Sequence, residues 1–316
     1  MKVWVVTLLP ICDRFSSWFN AEFQRIADAL GIDVEVLRLD VPCVKTMTNY
    51  FTNEYESVEH EIEQLKELNR LATSGDRVLW LDLDFPGFSV PMAYLLKLRG
   101  VKSYGVFHGA YFNEGDVWSP LPERKWFMKA AVEVCEKVFV ASEYFRQEIV
   151  RRLEVNSSKI VVTGLPFDPS RYRFDPHTKK DIVVVVGDVQ ISVPGYVTVK
   201  GRGLSYDYFK KLLEGAKYMV VFKKAETFGY AVLEALASGV IVLTPKAFSY
   251  PEFKSGEEDL LIFVNSPKEA EAFISTHRWS PDDVMRRYHN TCRVIERFKD
   301  SARRMLEEVI STQTSS

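Results

Sequence analysis

Residues 218–244 restrict the fold of this 316-residue chain more than any other stretch. An apolar run from Tyr218 to Phe222 is followed by a polar corner, a helix-forming run and a second apolar run from Val240 to Thr244, with Gly239 placed to end the helix. This pattern predicts a strand–helix–strand unit of a parallel sheet. The helix then begins at the carboxyl end of a strand, where open α/β sheets bind ligands and helix amides suit phosphate.

Two glutamates, Glu226 and Glu234, lie eight residues apart in this stretch. If helix spans the whole interval, they are about 12 Å apart along its axis. That distance suits a nucleotide sugar with one carboxylate at each end, because carboxylates accept paired hydrogen bonds from neighbouring hydroxyls. The alternative is a pair of solvated glutamates on an amphipathic helix.

The stretch resembles the donor-site motif of the GT-B glycosyltransferases, most closely that of the retaining family 4 enzymes (glycosyl transferases group 1). Their pattern is a glutamate, seven residues and a second glutamate, with Phe-Gly after the first glutamate and a Gly-Val strand after the helix. The matching positions are Glu226, Phe228, Gly229, Glu234, Gly239 and Val240. The resemblance implies that Glu226 binds hydroxyls of the transferred sugar and that Glu234 holds the ribose. It also implies a donor site that includes Thr227, Phe228 and Gly229.

The composition is that of a globular chain long enough for two domains, with 47% apolar and 27% charged residues. A net charge of −2 gives no general argument for a nucleic-acid partner. The apolar start, Val3 to Pro10, is too short for a membrane span and lacks a signal-peptide layout. The four cysteines are scattered, so neither a zinc ribbon nor a disulfide framework is predicted, and a reducing cytoplasm is the expected location.

Strands and helices alternate along the first half, which predicts a parallel sheet covered by helices on both faces. The predicted strands are Met1–Leu8, Val34–Leu39, Arg77–Leu83, Ser103–Phe107 and Val138–Ala141, and the predicted helices are Phe15–Leu30, Ser57–Leu71, Val90–Leu98, Arg124–Glu136 and Glu143–Leu153. Together with the resemblance, this predicts an α/β chain of two Rossmann-like βαβ domains facing a cleft. The expected parts are an acceptor-side domain over 1–170, a donor domain over 171–294, and a helix over 295–316 that crosses back to the first domain.

Three positions in the first half are candidate site residues. His108 follows a predicted buried strand, and the resemblance implies that it faces the donor sugar and the reacting carbon. Asp84, in an Asp-x-Asp with Asp82, is a candidate acceptor contact, although a strand-end turn is the stronger interpretation. No metal is assigned, because Asp-x-Asp is the metal motif of a different glycosyltransferase fold. Arg14, in a loop that lacks the family's glycines, is a candidate acceptor or phosphate contact, and a capped helix start explains that loop at least as well.

The second half departs from the family pattern where the diphosphate is normally neutralised. After the strand that ends at Gly187, itself a candidate donor-binding residue, the arginine and lysine of the family are missing, and a helix and strand that usually follow are also absent. The cations proposed to replace the missing pair are Lys200, Arg202, Lys223 and Lys224. Solvent exposure explains each lysine equally well, and helix amides near Phe228 and Gly229 are expected to share the phosphates.

The sequence therefore predicts a metal-independent, retaining glycosyltransferase of hexosyltransferase type. It needs no cofactor and uses a nucleotide-diphosphate sugar as co-substrate and partner; the acceptor and the oligomeric state are not indicated. His108 and Glu226 are the predicted catalytic residues. Two other classes stay open: a non-catalytic nucleotide-sugar-binding or scaffold protein, and a GT-B-like epimerase or phosphorylase. The basic C-terminal helix and the segment Arg124–Lys129 are ordinary solvated faces, with a membrane contact as the weaker alternative.

Overall fold

The chain divides into two compact units, each built around its own parallel sheet. The computed structural model describes residues 1–12, 15–44, 54–83, 88–114, 121–201 and 204–311. Unit 1 contains Met1–Pro166 and Asp300–Ser316, and unit 2 contains Phe167–Lys299.

The sheet of unit 1 has six parallel strands in the order β2-β1-β3-β4-β5-β6. Its strands are β1 (Val3–Val6), β2 (Val34–Val36), β3 (Arg77–Trp80), β4 (Lys102–Phe107), β5 (Lys137–Val140) and β6 (Ile160–Val162), and its helices are α1 (Ser16–Leu30), α2 (Glu54–Leu71), α3 (Val90–Leu98), α4 (Arg124–Val134) and α5 (Glu143–Leu153). Every residue of β1 and β3 is buried, as expected for a parallel sheet covered on both faces.

The sheet of unit 2 has five parallel strands in the order β11-β10-β9-β7-β8. Its strands are β7 (Lys180–Gly187), β8 (Val197–Lys200), β9 (Ala216–Phe222), β10 (Ile241–Thr244) and β11 (Leu261–Phe263), and its helices are α6 (Tyr206–Gly215), α7 (Tyr230–Ala237), α8 (Pro267–Thr276) and α9 (Pro281–Arg297). Residues 188–196 connect β7 to β8 without a helix. Helix α6 is not among the predicted elements; its N-cap is Ser205, whose side chain accepts the Tyr208 N–H.

The last helix, α10 (Ser301–Ser311), belongs to unit 1 although it follows unit 2 in the chain. Arg304 donates to the carbonyl of Thr163 at 2.6 Å, and Arg77 donates to the carbonyl of Val309. The predicted α/β architecture, with two Rossmann-like sheets and a C-terminal helix returning to the first unit, is confirmed.

The polar corner and the helix predicted after β9 are present, but helix covers only part of the interval from Glu226 to Glu234: α7 begins at Tyr230, after Gly229 in a left-handed conformation with φ +103°. The separation of about 12 Å, which assumed helix over the whole interval, therefore does not apply. No disulfide framework was predicted, but Cys12 and Cys43 form a disulfide. Among the helices described, none is both long and apolar enough to cross a membrane.

Candidate functional site

The loop between β9 and α7 carries most of the predicted donor residues to the carboxyl edge of the unit 2 sheet. β9 ends at Phe222, and α7 closes its first turn with hydrogen bonds from Val232 N and Leu233 N to the carbonyl of Gly229. The helix ends in a Schellman motif, with Gly239 N bonded to Leu236 O at 3.0 Å and Val240 N bonded to Ala235 O at 2.9 Å. The predicted strand–helix–strand corner is therefore present.

Glu226 is held in this loop by a neighbouring lysine. The Nζ atom of Lys223 lies 2.7 Å from Oε2 of Glu226, and the Glu226 side chain is 14% exposed. A charge-assisted hydrogen bond of this length fixes the carboxylate in one orientation. The pair therefore presents a positioned acceptor for hydroxyl groups, with its charge largely neutralised.

Aromatic side chains pack around Phe228, in the loop between β9 and α7. Phe228 is 3% exposed and packs edge-on against Phe253 and Phe298, at ring-centroid distances of 5.7 and 5.1 Å. The hydroxyl of Ser249 donates to the carbonyl of Phe228 at 2.6 Å. The Phe228 side chain thus belongs to the core. Thr227 is buried beside it, at 8% exposure.

Glu234 lies inside α7 and is enclosed by tyrosines of unit 2. It is 6% exposed, and the Tyr172 hydroxyl donates to its Oε1 atom at 2.9 Å. The hydroxyls of Tyr172 and Tyr206 are 2.6 Å apart. Burial raises the pKa of Glu234 to about 7, and the tyrosine hydroxyls and the charge of Arg171 oppose that rise. Glu234 is therefore a carboxyl group that titrates near neutral pH.

The end of β7 approaches β9 closely because Gly187 lacks a side chain. Its φ is +105°, and a Cβ atom there would lie 1.9 Å from the carbonyl oxygen of Phe222, with which Gly187 is in register.

Lys200 is exposed at the end of β8, and Lys224 is exposed beside Lys223. Three predicted site residues, Arg14, Asp84 and Arg202, lie outside the described residues.

In unit 1, His108 directly follows β4, at the strand end where it was predicted. Its Nε2 atom lies 2.7 Å from the carbonyl oxygen of Leu81, just after β3. A carbonyl only accepts, so Nε2 carries the hydrogen of this bond. Phe15 and Phe19 pack on the ring at centroid distances of 5.4 and 5.5 Å. The imidazole is thereby fixed in one orientation.

Sequence reasoning missed the tyrosines of unit 2. Tyr172 and Tyr206 contact Glu234 from two separate segments, and no spacing rule connects residues that far apart. Tyr250 follows β10 and reaches the Gly229 corner. In the part of the chain that is described, no group of three or more His, Cys, Asp or Glu side chains is arranged to hold a metal ion.

Solved structures align over nearly the whole chain. Sucrose-phosphate synthase from Thermosynechococcus elongatus aligns with a TM-score of 0.70 at 13% identity, over 98% of each chain. The Anabaena protein HepE in complex with UDP and glucose aligns with a TM-score of 0.62 at 11% identity, over 99% of this chain and 100% of that one. An E. coli trehalose-6-phosphate structure bound with UDP-2-fluoro glucose gives 0.64 at 10% identity, over 99% and 100%.

No protein-family model matches the sequence, and a search of the curated proteins finds no match. The structural neighbours are GT-B proteins, and the likeness covers both sheets and the returning helix. At identities of 10 to 13% this likeness establishes the fold: the chain has the GT-B fold.

Proposed function

We propose that this chain is a glycosyltransferase that moves a sugar from a nucleotide-diphosphate sugar to an acceptor, with retention and without a metal ion. The observation that carries the proposal is the Lys223–Glu226 pair at the carboxyl edge of the unit 2 sheet, directly before α7. Ligands of open α/β sheets bind at this edge. Two structural neighbours contain UDP with glucose or UDP-2-fluoro glucose, which makes UDP-glucose the first donor to test.

Each group in the corner has a proposed role. Glu226 accepts hydroxyls of the transferred sugar. Backbone amides at the start of α7 bind the diphosphate together with Lys200, Lys223 and Lys224. Glu234 accepts a ribose hydroxyl in exchange for the Tyr172 hydroxyl that it now accepts at 2.9 Å. The donor is thus held by hydrogen bonds and cations, without a cofactor.

His108 is proposed to position the sugar from unit 1. The hydrogen bond from Nε2–H to the Leu81 carbonyl holds the ring in place, so the ring acts by orientation. Negative charge on the departing diphosphate is stabilised by helix amides and lysines, which is electrostatic catalysis. In this proposal the enzyme is of the retaining hexosyltransferase type, similar to family 4.

The test combines binding and turnover. Thermal shifts with UDP-, GDP-, ADP- and dTDP-sugars identify the base, because a ligand that binds only the native state raises its stability. Sugar transfer to an acceptor panel then compares wild type with Glu226→Ala, and with Glu257→Ala, an exposed glutamate of the same unit, as the control. Loss of transfer only in Glu226→Ala is expected. Unchanged transfer in Glu226→Ala would contradict the proposed role.

A second candidate is a nucleotide-sugar-binding protein without turnover. It is favoured by the shortage of cations for a diphosphate. Residues 188–195 contain no lysine or arginine. Lys223, in the loop before α7, is already paired with Glu226. This candidate predicts a donor thermal shift with no transfer and no donor hydrolysis across the whole acceptor panel.

A further inference from the structure

A buried hydroxyl without a partner lies next to the Glu226 corner. Tyr250 opens the single 3₁₀ turn Tyr250–Phe253 after β10 and is 0% exposed. In the described part of the chain its hydroxyl has no hydrogen-bond partner. Leaving such a group unpaired is unfavourable, so a buried tyrosine of this kind requires an explanation.

Tyr250 and Glu226 border the same small space. A Cβ atom on Gly229 would lie 3.4 Å from Cε1 of Tyr250 and 3.6 Å from Cγ of Glu226. The hydrogen bond from Ser249 to Phe228 ties the turn that carries Tyr250 to the loop that carries Glu226. The absence of a side chain at Gly229 therefore lets the tyrosine ring and the Glu226 side chain approach the same point.

Two other buried tyrosines of unit 2, Tyr218 and Tyr172, have partners for their hydroxyls. Tyr218 is also 0% exposed, and its hydroxyl lies 2.8 Å from Nδ1 of His277. Tyr172 contacts both Tyr206 and Glu234. In the described part of unit 2, the phenols of Tyr172 and Tyr218 are thus paired, while that of Tyr250 is unpaired beside the proposed sugar site.

Burial, together with the negative charge of Glu226, raises the pKa of Tyr250 above its ordinary value. The hydroxyl is therefore protonated throughout the neutral range, and it both donates and accepts hydrogen bonds. Glu226 only accepts. The two groups together suit a polyhydroxylated ring, with one sugar hydroxyl donating to the carboxylate and a neighbouring oxygen paired with the phenol.

We propose that Tyr250 is a specificity-determining residue of the sugar site, which binds a second oxygen of the transferred sugar beside Glu226. The substrate class is a nucleotide-diphosphate hexose with adjacent hydroxyls. This inference rests on the proposed function, since it needs a donor sugar at Glu226. On binding, the sugar supplies the partner that the hydroxyl lacks, so the unpaired group favours the sugar-bound state.

The experiment compares Tyr250→Phe with Tyr218→Phe, which removes a hydroxyl that does have a partner. Calorimetric titration measures the affinity of each variant for UDP and for UDP-glucose, and urea denaturation measures its stability. In Tyr250→Phe we expect stability equal to or above wild type, because no hydrogen bond is lost. UDP affinity stays unchanged. The ratio of UDP-glucose affinity to UDP affinity falls about tenfold, which is the change expected when one hydrogen bond to the sugar is lost.

The control separates packing from recognition. Tyr218→Phe should lose stability and keep the wild-type affinity ratio. A wild-type ratio in Tyr250→Phe overturns the role of Tyr250 and leaves the proposed function standing. A loss of stability in Tyr250→Phe shows that the hydroxyl is structural and also overturns it. If wild type binds neither UDP, UDP-glucose nor the other nucleotide sugars of the panel, the proposed function itself fails.

Discussion

Replacing Glu234 with glutamine should stabilise the protein at alkaline pH while weakening nucleotide binding. Burial raises the pKa of this carboxyl from 4.5 to about 7. Between these two pH values the folded protein holds a proton that the unfolded chain has released. The stability that this provides is complete below pH 4.5 and is lost as the pH rises through 7. A shift of about 2.5 units corresponds to about 3 kcal/mol.

A glutamine has no charge to bury, and its carbonyl oxygen still accepts the Tyr172 hydroxyl. The stability advantage of Glu234→Gln over wild type should therefore begin near pH 4.5, grow to about 3 kcal/mol and level off above pH 7. Nucleotide affinity should fall in Glu234→Gln, because the proposed binding of the ribose hydroxyl needs the Glu234 carboxylate. The variant therefore gains stability and loses function.

The assay is urea denaturation at pH values from 4.5 to 8.5, followed by circular dichroism, with nucleotide affinity measured in parallel. Glu133→Gln, at an exposed position of α4, controls for the loss of a surface charge. Parallel pH profiles of wild type and Glu234→Gln would refute the argument, because they would show that Glu234 is ionised at the same pH in the folded and unfolded states.

Three further predictions follow from single contacts. Gly187→Ala should destabilise by at least about 2 kcal/mol in urea denaturation, since its Cβ atom would lie 1.9 Å from the Phe222 oxygen at a φ of +105°; an unchanged midpoint would contradict this. Tyr172→Phe should cost about 1–2 kcal/mol and raise the pKa of Glu234 further, since it removes a donor to that carboxyl; an unchanged pH profile of stability would refute it. His60, buried against Thr7, has its pKa lowered from 6.5 to about 4, mainly by burial. Its stabilising contribution, on the order of 3 kcal/mol, is present above pH 6.5 and lost as the pH falls toward 4; an NMR titration midpoint near 6.5 would exclude this.

Most strands and helices were predictable because their signals are local. The run from Ile182 to Val186 is β-branched and buried in part, and α3 and α5 begin and end where their periodicity and caps place them. The exception, α6, carries the same kind of signal, since Phe209, Leu212 and Leu213 recur at helical spacing.

The site was predictable only where chemistry and spacing coincide along the chain. Glu226, Glu234 and Gly229 belong to one short motif, and Lys223, the partner of Glu226, lies beside it, whereas the tyrosine that binds Glu234 comes from a distant segment. Tyr172 reaches Glu234 across 62 positions, and the Cys12–Cys43 disulfide joins residues 31 positions apart with no motif between them. Such pairings are decided by packing in three dimensions, which a single sequence does not encode at fixed offsets.

The missing arginine–lysine pair and the Lys223–Glu226 ion pair both affect how a bound diphosphate is neutralised. A diphosphate brought to the start of α7 requires cations, and residues 188–195 supply none. Lys223 is close to that helix start, but its ammonium group now neutralises Glu226 at 2.7 Å. In the proposed function, phosphate oxygens compete with Glu226 for this one lysine. Transfer of Lys223 to the diphosphate would release the carboxylate for the sugar hydroxyls, so that binding of the leaving group and recognition of the sugar are coupled through a single side chain.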